Sequence, residues 1–166
     1  MMRADGMKTE DVVLDVPDGC QLILGQAHFI KSVEDIYEAL ITSMPGIRFG
    51  VAFCEASGKA LVRSDGSDEG MVTKAQDFAL RLRAGHSFVV MLKGAFPINV
   101  LNRLKSVEEV AGIYCATSNR VTVIIADVGD GRGILGAVDG VSAKGSETEA
   151  DRNERHEFLR KIGYKR

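Results

Sequence analysis

The sequence predicts an α/β fold, a single compact domain with helices packed on a mixed β-sheet, and three observations carry that reading. A chain of 166 residues, 45% hydrophobic and 27% charged, holds enough apolar material for one core. Helix-like and strand-like apolar periodicities alternate through its first two thirds. Strands also follow one another without an intervening helix, which argues against a purely parallel sheet.

Val12, Leu14 and Val16 alternate with other residues before Pro17-Asp18-Gly19, and Cys20 to Leu24 then resumes an apolar run, giving two strands around a turn. Ser32 precedes a helical stripe of Val33, Ile36, Tyr37, Leu40, Ile41 and Met44, with Asp35 placed as in a capping box, and Pro45-Gly46 ends it. Ile47, Phe49, Val51 and Phe53 form one face of a strand; the opposite face, Arg48, Gly50, Ala52 and Cys54, is mostly small and open to close approach. A short strand, Ala60 to Arg63, follows. Met71, Val72, Ala75, Phe78, Ala79 and Leu82 trace a second helix, with Gly85 as its left-handed cap, and Phe88 to Leu92 is a compact strand. Pro97 suits the first turn of a third helix carrying Ile98, Leu101 and Leu104. Ile113 to Ala116, Val121 to Ala126 and Ile134 to Val138 read as strands, and Thr148 with Asp151 caps a charged final helix that buries Phe158, Leu159 and Ile162. Residues 1–11 read as a flexible N-terminal extension, and 12–166 as the domain.

Lysine plus arginine (21) nearly balances aspartate plus glutamate (23), and the basic residues are dispersed. Nucleic acid and anionic membranes are therefore not the expected partners. Cys20, Cys54 and Cys115 are too few and scattered for a disulfide framework and contain no C-x-x-C pair, so they read as reduced thiols. No signal-peptide core or bilayer-length apolar run is seen, and the expected location is cytoplasmic.

Gly131-Arg132-Gly133-Ile134-Leu135-Gly136 matches a phosphate-cradling glycine pattern, but a dinucleotide site needs a helix after the glycines and this segment reads as strand. A tight hairpin turn is the plainer reading, with Arg132 at its tip offering an anion site. The motifs G-x-x-x-x-G-K-[ST], H-E-x-x-H and G-x-S-x-G are absent. His86 falls at a junction between a helix cap and a strand, where an imidazole can act as a base or accept a phosphoryl group, or simply satisfy backbone groups. His28 carries the same two readings, while His156 lies on the charged helix. Glu55 stands at a strand end with Lys59, Arg63 and Asp65 close behind: a phosphate site with its proton acceptor, or a solvated hairpin. Asn99 and Asn102 read a purine edge or cap backbone groups, and Asp139 and Lys144 follow the glycine turn, where either can approach a phosphate.

Taken together, Gly25-Gln-Ala-His-Phe-Ile-Lys-Ser-Val-Glu-Asp, Phe49-Gly-Val-Ala-Phe-Cys-Glu-Ala-Ser-Gly-Lys, Ala84-Gly-His-Ser-Phe and Ala95-Phe-Pro-Ile-Asn-Val-Leu-Asn resemble the adenosine-specific kinase family of archaea and bacteria. Gly131-Arg-Gly-Ile-Leu-Gly, Val138-Asp-Gly, Lys144-Gly and Leu159-Arg-Lys-Ile-Gly-Tyr-Lys extend the likeness from about Val12 to the C-terminus. Asn119 is followed by Arg120 where many relatives carry proline. The resemblance implies a compact α/β protein that binds adenosine or AMP, performs phosphoryl transfer and uses a phosphorylated histidine. On that reading His86, with His28 as the other candidate, takes or positions the phosphoryl group, and Glu55 or Asp139 orients a hydroxyl or a magnesium-bound water. Lys59, Arg63, Arg132 and Lys144, with Gly131 and Gly133, hold phosphate charge, and Asn99 and Asn102 hold the substrate. No organic cofactor is expected, and magnesium is the only metal it brings in. The alternatives are a non-catalytic adenosine or AMP sensor and a purely structural assembly, and a homo-oligomer is expected in each case.

Overall fold

The structure, a computed structural model, describes residues 6–166. Eight strands and four helices follow in the order β1 (Lys8–Leu14), β2 (Cys20–Ala27), α1 (Ser32–Ile41), β3 (Arg48–Cys54), β4 (Val62–Gly66), α2 (Glu69–Leu82), β5 (Ser87–Lys93), α3 (Pro97–Lys105), β6 (Val110–Thr117), β7 (Val121–Asp127), β8 (Arg132–Asp139) and α4 (Glu149–Lys161).

The expected α/β domain is found, with its strands divided between a five-stranded sheet, β4-β3-β5-β2-β6, and a three-stranded one, β1-β7-β8. Where a mixed sheet is expected, every pairing is antiparallel. The reason lies in the crossovers. β2 and β3, joined by α1, run parallel, but β5 inserts between them; β5 and β6, joined by α3, run parallel with β2 inserted. Two split βαβ units thus interleave, which keeps both crossover helices on one face.

That arrangement buries both faces of the large sheet, so β5 reads as an unbroken apolar run. Phe49, Val51, Phe53, Phe88 and Val90 pack with α1 and α3 through Ile36, Leu40, Val100 and Leu104. On the other face Ala52, Cys54, Leu22, Val89 and Met91 meet Ala75, Phe78 and Leu82 of α2, and Leu14, Val121, Val123 and Ile125 of the small sheet. What approaches the small-residue face of β3 is the backbone of α2: a Cβ added to Gly50 would overlap Met71 and Val72.

Several local expectations are corrected. β1 begins at Lys8, pairing with Asp127, so of the expected extension Lys8 to Asp11 belong to a sheet and Gly6 and Met7 precede it exposed, while residues 1–5 lie outside the described residues. The turn at Pro17-Asp18-Gly19 is closed by Cys20 N–H donating to Pro17 O, but it passes the chain between sheets and joins no hairpin. The N-cap of α1 is Lys31, and Ser32 Oγ donates to His28 O where a capping box with Asp35 is expected. The left-handed cap of α2 is Arg83 (φ 51°), with N–H bonded to Ala79 O. Gly85 is small for another reason: a Cβ there would stand 3.0 Å from that of Ala56.

The box at α4 is present, with Thr148 N–H bonded to Asp151 Oδ2 at 2.7 Å, but Phe158 and Ile162 stay exposed and Leu159 is half-buried. Both faces of the large sheet are already covered, which leaves α4 no core face to join. Cys20 and Cys54 are buried and Cys115 half-buried, all three free. No helix among the described residues is long and apolar enough to cross a membrane.

Candidate functional site

At one end of the large sheet, the C-terminal ends of β2 and β3 meet the N-terminal ends of β5 and β6. Main-chain bonds tie the segments leaving those strands: His86 N–H to Cys54 O at 2.8 Å, Ala27 N–H to His86 O at 2.9 Å, and His28 N–H to Glu109 O at 2.9 Å. Topology thereby brings His28, Glu55 and His86 to one open cleft of about 510 Å³, walled by Phe29, Phe53, Ser57 and Gly58. The His86 ring stacks on Phe53, with centroids 5.8 Å apart and planes inclined by 20°; the His28 ring lies 6.4 Å from that of Phe29.

Two residues of this cleft hold left-handed backbone without being glycine, Phe29 (φ 78°) and His86 (φ 63°). Such a conformation costs about 1–2 kcal/mol per residue and persists where surrounding bonds over-determine it. His86 meets that condition, since its N–H and its C=O are both tied to neighbouring strand ends. His86 takes this conformation at the point where β5 begins, and it lines the cleft there.

Glu55 is held rather than free. One carboxylate oxygen accepts from Leu61 N–H (2.8 Å), the other from Arg63 Nη2 (3.0 Å), which closes the loop between β3 and β4. The Leu61 N–H, then the Arg63 guanidinium, keep its carboxyl below the usual glutamate range, so at neutral pH it is an anion and a weak proton acceptor. Lys59 is exposed on the same loop and adds a weaker pull on that carboxylate.

Glu55 and Ala56 also border a second cleft, of about 520 Å³, on the α2 side of the sheet, lined by Arg83, Gly85, Gly131 and Arg132. Arg132 Nη2 bonds Glu10 at 2.8 Å, while its buried Nε has no hydrogen-bond partner among the described residues and faces Asp127 at 4.0 Å. The glycine segment before it is a tight turn: Val128 N–H bonds Gly131 O and Gly129 N–H bonds Asp127 Oδ1. Gly133 continues into β8 opposite Ala126.

The other candidates lie elsewhere. Asp139, at the far end of β8, accepts from Thr117 Oγ1 (2.8 Å) and Asn119 Nδ2 (3.0 Å) beside the opening residues of β2, about 20 Å along the sheet from His28. Asn99 caps α3, its Oδ1 accepting from Phe96 N–H at 2.9 Å. Asn102 sits on α3 facing grooves away from the histidines. Lys144 is exposed between β8 and α4.

No group of three His, Cys, Asp or Glu side chains among the described residues could hold a metal ion. Both Glu55 oxygens are engaged, and Asp139 is remote, so a protein-held magnesium does not fit this cleft.

Sequence reasoning misses the support beneath His28. Glu109 is 6% exposed, and Lys31 Nζ reaches its Oε1 at 2.6 Å while also pairing with Asp35. Lys31 holds the Glu109 carboxyl low, and the two carboxylates hold the Lys31 ammonium high. Nothing local announces a pair 78 positions apart. Glu55 and Glu109 have lowered folded pKa values, so their contribution is fully present above the ordinary glutamate value of about 4.3 and is lost as pH falls through the folded values. Urea midpoints are expected to be flat from pH 7 to 5 and to drop below pH 4, with a shallower drop in Glu109→Gln. An equally steep drop in that variant would remove Glu109 from the account.

Comparison with known proteins agrees with this fold. No curated protein matches. The crystal structure of the PH1918 protein from Pyrococcus horikoshii superposes with a TM-score of 0.93 at 41% identity, over 97% of this chain and 99% of that one. The family described as adenosine specific kinase matches residues 12–165, and with nearly the whole domain inside that match the chain belongs to the adenosine specific kinase family.

Proposed function

We propose that this chain transfers a phosphoryl group to adenosine, with His86 as acceptor and His28 as its partner in the same cleft. The observation that carries the reading is the convergence of the two histidine segments on one open cleft walled by aromatic rings. Family membership supports the adenosine substrate. In the first half-reaction an imidazole nitrogen of His86 attacks the terminal phosphorus of a nucleoside polyphosphate; an N–P bond forms, and the P–O bond breaks with its electron pair leaving on the shortened donor. In the second, the adenosine 5′-hydroxyl oxygen attacks that phosphorus, the N–P electron pair returns to the ring, and the hydroxyl proton passes to His28. Lys59 and Arg63 offset phosphate charge from the loop that Glu55 braces, and Arg132 does so from the adjoining cleft.

A sensor that binds adenosine or AMP without turnover is favoured by a different observation: Glu55 is committed to its loop and is a weak base. Calorimetry with adenosine, followed by chromatography for AMP after adding donor, separates the two. AMP formation supports the kinase, binding without AMP supports the sensor, and no binding overturns both. Self-association is also part of this reading: Leu135, Val138 and Val141 are exposed around the edge strand β8, and α4 keeps Phe158 and Ile162 uncovered. Sedimentation equilibrium is expected to give a mass above that of one chain.

A further inference from the structure

The turn from His28 to Lys31 joins β2 to α1, and one residue, standing just before the neighbouring strand β6, holds both of its ends. The main-chain oxygen of Glu109 accepts from His28 N–H at 2.9 Å, and its carboxylate takes the Lys31 ammonium at 2.6 Å. We propose that Glu109 is a positioning residue: by gripping the turn at both ends it sets where the His28 imidazole stands in the cleft. This role rests on the kinase reading, in which that ring receives the proton of the adenosine hydroxyl.

His28 needs such a hold. Its side chain is exposed in the cleft, so its main-chain bonds set its place. Ser32, fully buried, adds a bond from its Oγ to His28 O at 2.9 Å, and its N–H bonds Phe29 O at 3.0 Å.

Two unfavourable features are concentrated here that the core does not require. Phe29 is left-handed at φ 78°, an outlier for a bulky side chain. The Glu109 side chain is 7% exposed, and its Oε2 has no hydrogen-bond partner among the described residues. A buried, half-satisfied carboxylate costs more free energy than hydrocarbon of the same volume, so stability alone is a poor reason for it. Aiming a ring at a reacting hydroxyl is a better one. Proton transfer needs heavy atoms within about 3 Å, and a displacement of about 1 Å costs about a hundredfold in rate.

A double-mutant cycle on the full chain tests this. Protein phosphorylated with radiolabelled donor is mixed with adenosine, and transfer is followed in a single turnover. Glu109→Gln keeps the shape of the side chain, and Lys31 retains Asp35 as a partner, so no cation is stranded by the change. The variant is expected to take the label at His86 within about twofold of the parent rate. It should transfer that label at least about tenfold more slowly, with the half-saturating adenosine concentration held within about twofold. In the His28→Asn background the same change should cost less than about twofold, because the ring it places is gone. Lys31→Met should behave as Glu109→Gln does, and Lys31→Arg, which keeps the cation, should recover most of what Lys31→Met loses. A parent-like transfer rate in Glu109→Gln, or an equal loss with and without His28, overturns the positioning role while the kinase reading stands. Loss of label and transfer by one common factor is a folding defect and also overturns it. A parent that takes no label and forms no AMP overturns the kinase reading, and this role with it.

Discussion

His86→Asn is expected to lower AMP formation at least about a thousandfold while leaving the fold intact, as removal of a covalent nucleophile does. The choice of asparagine follows from the backbone. At φ 63° a residue with a Cβ is strained, and asparagine tolerates this region better than alanine. His86→Ala would mix lost chemistry with about 1 kcal/mol of lost stability, whereas the asparagine variant should unfold within about 0.5 kcal/mol of the parent. After incubation with radiolabelled donor, the parent should carry an acid-labile, base-stable label that His86→Asn lacks. His28→Asn should still take the label but pass it to adenosine slowly, because the hydroxyl proton loses its acceptor. If His28→Asn is unlabelled and His86→Asn labels normally, the two rings exchange roles; if neither variant changes the label, the cleft is not where phosphoryl transfer occurs.

Much of this cleft was legible because its residues lie at strand ends. His28 and Glu55 stand where an apolar run stops and His86 where one starts, and the order of strands then decides whether those ends meet. Periodicity identifies the ends but carries no signal for that order, since a sheet in which β2 neighboured β3 would fit the same alternation. The same limit hides the destination of β1, whose partner β7 lies beyond every other element of the large sheet. Polar residues suffer more. Asp139 and Asn99 have the chemistry of site residues, yet Thr117 and the Phe96 amide claim them, and a side chain's partner is set by tertiary placement rather than by its own type. The box at Thr148 and Asp151 was readable because both ends of its bonds lie within one turn.

The largest structural effect is expected at Gly50. It pairs across β3 and β4 with Gly66, so two bare backbones lie side by side beneath the first turns of α2. A Cβ at Gly50 would overlap the main chain of Met71 and Val72, and one at Gly66 would press on the Phe49 carbonyl and the Val72 side chain. Rigid helix backbone cannot give way as a flexible side chain does, so Gly50→Ala forces α2 to lift from the sheet. Overpacking of a close-packed contact costs about 1–3 kcal/mol, and this site belongs at the upper end of that range because backbone meets backbone. Gly133→Ala is the matched control: it adds the same methyl to a strand with open space around it and should shift stability by no more than about 0.5 kcal/mol. Urea unfolding of the two variants measures the difference. The consequence extends to the cleft, because α2 ends at Leu82 and only Arg83, Ala84 and Gly85 separate it from His86. Lifting α2 pulls on the strained turn that aims the imidazole, so the fraction of Gly50→Ala still folded should label more slowly with donor than the parent. Equal stability in the two alanine variants would mean that α2 does not sit on bare backbone, and the geometry that orients His86 would need another cause.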